Sequence, residues 1–352
     1  MKSMKNILNI TLLVFVATFW AHSMAFAVDV MTVLGPIPAE KLGVTLMHEH
    51  VAAGWVGSDR DSRAPYDRTA AEKVALKTFM DLKAIGVTTF VDTTPCDITL
   101  RDPVLFQSLS KKSGINIIMS TGMYMEKEGA NTYWKYRQAV MGESMEQELY
   151  ELFMKEIRVG VGNTGIKAGL IKVSSDDPAI TDFEKVCFKA AVRASLETGV
   201  PIITHTQGDT VGPAQQKLFL SLGGNPKKIM IGHMNNSDDI NYHLYCLARP
   251  DFYIGFDRIS LAAPWGKIKS EDCMIELVKK GYADRIMLAH DSIATWPGKT
   301  FKWPAAMVEN VKDWYPTYIH KKLIPKMKAA GVTDEQIHTM LVDNPRRFFN
   351  GE

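Results

Sequence analysis

The chain has 352 residues, of which 46% are apolar, 23% charged and 9% aromatic. That is ordinary globular composition, and it excludes a collagen-like, coiled-coil or largely disordered protein. Lysine and arginine number 41 against 39 acidic residues, so no basic surplus points to nucleic acid.

At the N-terminus, Lys2 and Lys5 precede an apolar run from Ile7 to Trp20, and Ala25-Phe26-Ala27 supplies an A-x-A cleavage signature. The run is shorter than the about 20 residues a membrane span needs. Residues 1–27 are therefore expected to be a signal peptide, residues 28–352 a single catalytic domain, and the mature protein secreted or periplasmic. An uncleaved anchor is the alternative. Removing the leader takes away two lysines and no acid, which brings the formal charge from +2 to zero. Export would permit disulfides among Cys96, Cys187, Cys246 and Cys273. None lies in a C-x-x-C, and a domain of this size needs no cross-links, so buried free thiols are expected.

Eight short apolar runs rich in β-branched residues follow, at 44–47, 88–92, 116–120, 169–173, 202–204, 229–232, 252–255 and 286–289. Runs of this kind suit strands buried on both faces. Amphipathic stretches lie between them. Residues 70–85 place Val74, Leu76, Phe79, Leu82 and Ile85 largely on one stripe, and Gly86 ends it. Residues 143–159 and 182–198 read the same way and end at Gly160 and Gly199. Ser270 is expected to cap a helix running to Val278 and ended by Gly281, and Asn344 to cap one that starts at Pro345. Alternating strands and helices predict an α/β fold with a parallel sheet. Eight units close naturally into a single (β/α)8 TIM barrel. A doubly wound open sheet is the rival, but the chain has no Gly-rich nucleotide-binding turn.

Barrel active sites form where the strands run out at their C-terminal ends. After the first strand stands His48-Glu49-His50, and residues i and i+2 of a strand share a face. The fourth strand carries Lys172 within its apolar run, where a charge is costly unless neutralised or paired. His205 follows the fifth strand, His233 the sixth, and His290-Asp291 the eighth. Singly, each has an ordinary reading: an H-x-H is a weak signal, and a lysine at a strand end can snorkel to water. Together His48, His50, His205 and His233, four of the 9 histidines, stand at strand ends with Lys172 and Asp291, which points to one metal-binding mouth.

These residues make the sequence resemble the phosphotriesterase family of the amidohydrolase superfamily. The resemblance is carried by Gly43-Val44-Thr45-Leu46-Met47-His48-Glu49-His50, Ile171-Lys172-Val173, Pro201-Ile202-Ile203-Thr204-His205-Thr206, Ile231-Gly232-His233, Ala289-His290-Asp291 and Asn344-Pro345-Arg346-Arg347-Phe348-Phe349. It spans nearly the whole mature chain. It implies a barrel of the metal-dependent hydrolase type holding two divalent metal ions. Zinc is the first expectation, and imidazole and carboxylate ligands also suit manganese, iron and cobalt. Carried over, His48, His50 and Asp291 hold the first metal and His205 and His233 the second. Lys172 bridges them as a carbamate formed with CO2, because a free amine cannot lie between two cations. The resemblance further implies a metal-bridged hydroxide that attacks a carbonyl or phosphoryl centre, with Asp291 taking up its proton.

The rim of the site resembles the lactonase branch at Asp257-Arg258 and at Thr121-Gly122-Met123-Tyr124. The bacterial phosphotriesterases carry histidine at the place of Arg258 and aspartate at that of Asn236. Tyr124 is expected near the metals, orienting a carbonyl, and Arg258 to pair with Asp257; ordinary rim positions for both stay open. Residues 259–265 and the loop after Asp291, through Trp296-Pro297-Gly298, depart from the lactonase pattern and leave the acyl tail open. The expected function is a lactonase with promiscuous phosphotriesterase activity. The alternatives are a true phosphotriesterase (aryldialkylphosphatase), an N-acyl amide hydrolase on the same centre and a catalytically dead exported binding protein. All six ligand positions are filled, which argues against the last. The expected partners are a small-molecule ester or lactone and, at most, a second copy in a homodimer, with neither nucleic acid nor membrane.

Overall fold

A computed structural model describes residues 29–98, 100–208, 210–249, 251–261, 270–296 and 302–352. The expected leader at 1–27 lies outside the described residues, as do 262–265 and 297–298 of the two departing loops. A hairpin comes first, β1 (Asp29–Thr32) and β2 (Gly35–Pro38). Then follow β3 (Thr45–Ala52), β4 (Thr89–Asp92), β5 (Asn116–Gly122), β6 (Leu170–Asp176), β7 (Ile202–Gln207), β8 (Ile229–Ile231), β9 (Tyr253–Phe256), β10 (Ile286–Leu288) and β11 (Ile293–Thr295). From β3 to β10 each strand pairs in parallel with the next, as the eight apolar runs predict.

Closure of the ring occurs at a split strand. β10 pairs with β9, the backbone breaks at Asp291, and the continuation β11 pairs with β3, placing Ile293 opposite His50. The amide of Asp291 donates to the His48 carbonyl at 3.0 Å, and that of His50 to the Ser292 carbonyl at 2.8 Å. One side chain from each ring strand fills the interior: Met47, Val91, Ile118, Leu170, Ile203, Met230, Tyr253 and Met287. Val30 of the hairpin and Phe348 of the last helix join this layer. The outward-facing alternates, such as Phe90, Ile171, Ile202 and Phe256, pack under the helices. This is a (β/α)8 barrel with a filled core.

The helices begin where polar side chains can satisfy their first amides. Asp67 accepts from Thr69 and Ala70 and starts Arg68–Ala84. Asp102 does the same before Pro103–Ser113. Thr181 and Glu184 form a reciprocal capping box at Asp182–Thr198. The stretch expected at 143–159 is a helix over Met145–Arg158, capped by Ser144.

Two capping expectations are corrected. Ser270 is itself helical, within Ser270–Leu277, and is buried. Asn344 sits inside continuous helical backbone (φ −62°, ψ −48°), and its amide donates instead to the carbonyls of Ala283 at 2.8 Å and Ile286 at 2.7 Å. Those carbonyls enter β10, so the asparagine docks the last helix onto the barrel. All four cysteines are free thiols, three of them buried. Among the described residues no helix is long and apolar enough to cross a membrane.

Candidate metal centre

The expected ligands converge. His48 and His50 lie on β3, Lys172 on β6 and His205 on β7, while His233 and Asp291 follow β8 and β10. A register shift between Leu46 and Glu49 turns His48 to the same interior side as its neighbour Met47. His233 and Asp291 adopt left-handed backbone, with φ of 56° and 54°. Lys172 Nζ lies 2.7 Å from His48 Nε2. Asp291 Oδ1 lies 3.0 Å from His50 Nε2 and 3.6 Å from His48 Nε2, and its Oδ2 lies 3.6 Å from His233 Nε2. His233 Nε2 and His205 Nδ1 are 2.9 Å apart.

Every imidazole is held from behind. Asp257, fully buried, accepts from His48 Nδ1 at 2.7 Å through one oxygen and from His233 Nδ1 at 2.9 Å through the other. His205 Nε2 donates to Gln207 Oε1 at 3.1 Å, and His50 Nδ1 meets Thr94 Oγ1 at 2.7 Å. At His48, His233 and His205 these acceptors fix the tautomer and leave one lone pair of the ring facing inward, the arrangement of a metal-binding histidine with its outer partner. His48, His233 and Asp257 also form a compact triad of potential ligands. The Asp257 contacts, however, go to the ring N–H groups, so its role there is to orient.

The electrostatics fit a cation. Burial holds His48, His205 and His233 well below the ordinary imidazole pKa, with Lys172 adding at His48 and Arg258 at the other two. Neutral rings are the ligating form. With their outer nitrogens donating, His233 and His205 present lone pairs to each other at 2.9 Å, a contact that a shared cation relieves. Burial brings the Lys172 amine down to about 7 and pushes Asp257 up to about 8. Burial also works to raise Asp291, but the His50 hydrogen bond and the Arg258 guanidinium outweigh it and hold that carboxyl well below the usual range. The four imidazoles, a carboxylate and a deprotonatable amine could supply the donors for two divalent metals.

Arg258 departs from its expected pairing. Its Nε donates to Asp291 Oδ2 at 2.9 Å, and its terminal nitrogen to Asn236 Oδ1 at 3.2 Å. Asp257 instead takes three N–H groups, from the two rings and from the His233 backbone amide at 2.7 Å. The Tyr124 hydroxyl lies 3.4 Å from His205 Nδ1. Sequence reasoning missed the outer partners Thr94, Gln207 and Asp257, and also Glu49, whose buried carboxylate grips His290 and Ser292 on either side of Asp291. Glu49 had one signal: between two inward histidines, it must face the other way.

Above the centre opens a cavity of about 150 Å³. Its outer wall is aromatic: Trp55 and Trp296 stack at 5.7 Å, and Trp303 meets Trp314 edge-on at 5.9 Å. Glu128 is the one acidic side chain of that outer wall among the described residues.

A sequence profile of the phosphotriesterase family matches residues 28–349. The chain belongs to that family. Its relatives include an aryldialkylphosphatase from Saccharolobus solfataricus, 33% identical over 89% of this chain and 97% of its own length. An organophosphorus hydrolase from Deinococcus radiodurans is 41% identical, with a TM-score of 0.88 over 92% of this chain and 97% of the other. A mutant of a Deinococcus radiodurans PTE-like lactonase superposes with a TM-score of 0.87 at 41% identity, over 91% and 99% of the two chains. The chain is accordingly a hydrolase of ester bonds, in a family of binuclear metal enzymes.

Proposed function

We propose that this member of the phosphotriesterase family is an exported binuclear metal-dependent lactonase with a weaker phosphotriesterase activity. His48, His50 and Asp291 would hold one divalent metal, His205 and His233 the other, and Lys172, carboxylated by CO2, would join them. Zinc suits these donors best. The amine must be unprotonated to take up CO2, and a pKa of about 7 leaves a large neutral fraction at neutral pH. The metals, when bound, would acidify a water between them and polarise the carbonyl of the ester. The Tyr124 hydroxyl, 3.4 Å from His205 Nδ1, would orient that carbonyl. Asp291 takes the proton of the attacking water on a carboxylate oxygen.

The observation that carries the lactone reading is the pairing of Arg258 with Asp291 and Asn236. Once Asp291 holds a proton, a guanidinium and an amide offer it no base along that side. Ring opening of a lactone needs none, because the leaving alkoxide stays in the pocket and takes the proton from Asp291. An aryl phosphotriester expels a weakly basic phenolate, and its proton must reach solvent. The aromatic wall supports an apolar, uncharged acyl tail, and Glu128 disfavours an anionic one. Export rests on the leader pattern of residues 1–27.

The test is kcat/KM for a lactone series, a paraoxon-type triester and an N-acyl amino acid, measured on protein loaded with zinc and bicarbonate. The lactones should give the highest value. A higher value on the triester or the amide would assign the site to that bond instead.

A further inference from the structure

We propose that Glu49 is a positioning residue for Asp291, holding it in the geometry that binds metal and accepts the proton. The inference rests on the reading of Asp291 given above. Glu49 lies between the two histidines of β3, and the register shift that turns His48 and His50 inward sends it into the closure seam of the barrel. It is completely buried. Oε1 accepts from the His290 amide at 2.9 Å and from His290 Nδ1 at 2.7 Å. Oε2 accepts from the Ser292 amide at 2.8 Å and from Ser292 Oγ at 2.6 Å. Four donors thus converge on one carboxylate, and they belong to the two residues that flank Asp291.

Asp291 needs such a clamp. Its φ of 54° is left-handed, a conformation that a residue with a side chain keeps only when its surroundings over-determine it. A relaxed backbone there would swing the carboxylate away from His50 and Arg258. His290 is fixed as well: its Nε2 accepts from the Ile319 amide at 3.1 Å, which places the proton on Nδ1, facing Glu49. Its carbonyl accepts from Trp314 Nε1 at 2.9 Å, which ties the turn to the wall of the cavity. The requirement is for a carboxylate. A glutamine has only one oxygen, and its NH2 would face either the two Ser292 donors or the two His290 donors.

The experiment compares Glu49→Gln and the milder Ser292→Ala with the parent chain, using zinc alone as the probe in chelator competition, alongside kcat and KM on one ester substrate. Outer partners of metal ligands are commonly worth about 10–100-fold in affinity or activity. Glu49→Gln should lose one of two zinc equivalents at about 10–100-fold less chelator while the other equivalent holds. Its kcat should fall by a similar factor with KM little changed. Ser292→Ala, which removes one of the four bonds, should move both readouts in the same direction by less. If Glu49→Gln fails to fold, Ser292→Ala decides alone. Parent-like zinc retention and kcat would overturn the proposal, as would a variant that only lowers the Tm of the metal-free protein. Failure of the parent chain itself to bind two zinc ions would instead sink the metal reading on which the proposal stands.

Discussion

At Lys172 the amine is 1% exposed and, among the described residues, makes no ion pair. Burial therefore works against its charge and favours the neutral form that CO2 can carboxylate. Lys172→Ala should abolish ester hydrolysis, and short carboxylic acids added to the assay should restore part of it by supplying the missing carboxylate. Lys172→Arg should stay inactive with or without acid, because a guanidinium remains cationic beside two metals; an active arginine variant would contradict the bridge. The site residues were legible in the sequence because the histidines and Asp291 stand where apolar runs stop and Lys172 is a charge inside one. Asp257, Thr94, Gln207 and Glu49 were not, since each acts by touching a side chain from another strand, and only the register brings them together. The expected Arg258–Asp257 pair failed for the same reason: nothing in the order of residues reveals that Asp257 turns to His48 and His233 while Arg258 reaches Asp291.

Among the elements, the eight ring strands were legible from their apolar cores, but their ends were not. β3, β5, β6 and β7 run on past the apolar run into Ala52, Gly122, Asp176 and Gln207, and in β3 and β7 that extension carries His48, His50 and His205. The helix Val211–Ser221 escaped notice because Gly212 and Pro213 fall in its first turn and no side chain caps it. The register shift in β3 leaves no mark in composition either. In the β5–β6 pairing Gly122 stands opposite Lys172. There φ is 124°, and an added Cβ would fall 1.8 Å from the Lys172 carbonyl oxygen. Gly122→Ala must then displace the strand that carries the lysine. It should lower stability by about 1–3 kcal/mol through backbone strain, read by denaturant unfolding, and depress metal retention with it. Unchanged stability and metal retention would show that this close approach does not set the position of Lys172.

For the whole molecule, the barrel separates two tasks. Its interior layer of Met47, Val91, Ile118, Leu170, Ile203, Met230, Tyr253 and Met287 is apolar and closes the lower end. The strand ends above collect the buried histidines, carboxylates and lysine, whose desolvation the folded chain alone does not fully offset. Bound cations would offset it and stabilise the native state by mass action. Barrel closure also explains why ligands far apart in sequence meet: Asp291 reaches His48 and His50 only because β11 pairs back onto β3. The most direct measurement of the central claim is metal content by elemental analysis of protein purified with zinc and bicarbonate, read beside activity before and after chelation. The account predicts two equivalents per chain, loss of activity on their removal and its return on re-addition. One equivalent or fewer in fully active protein would contradict it.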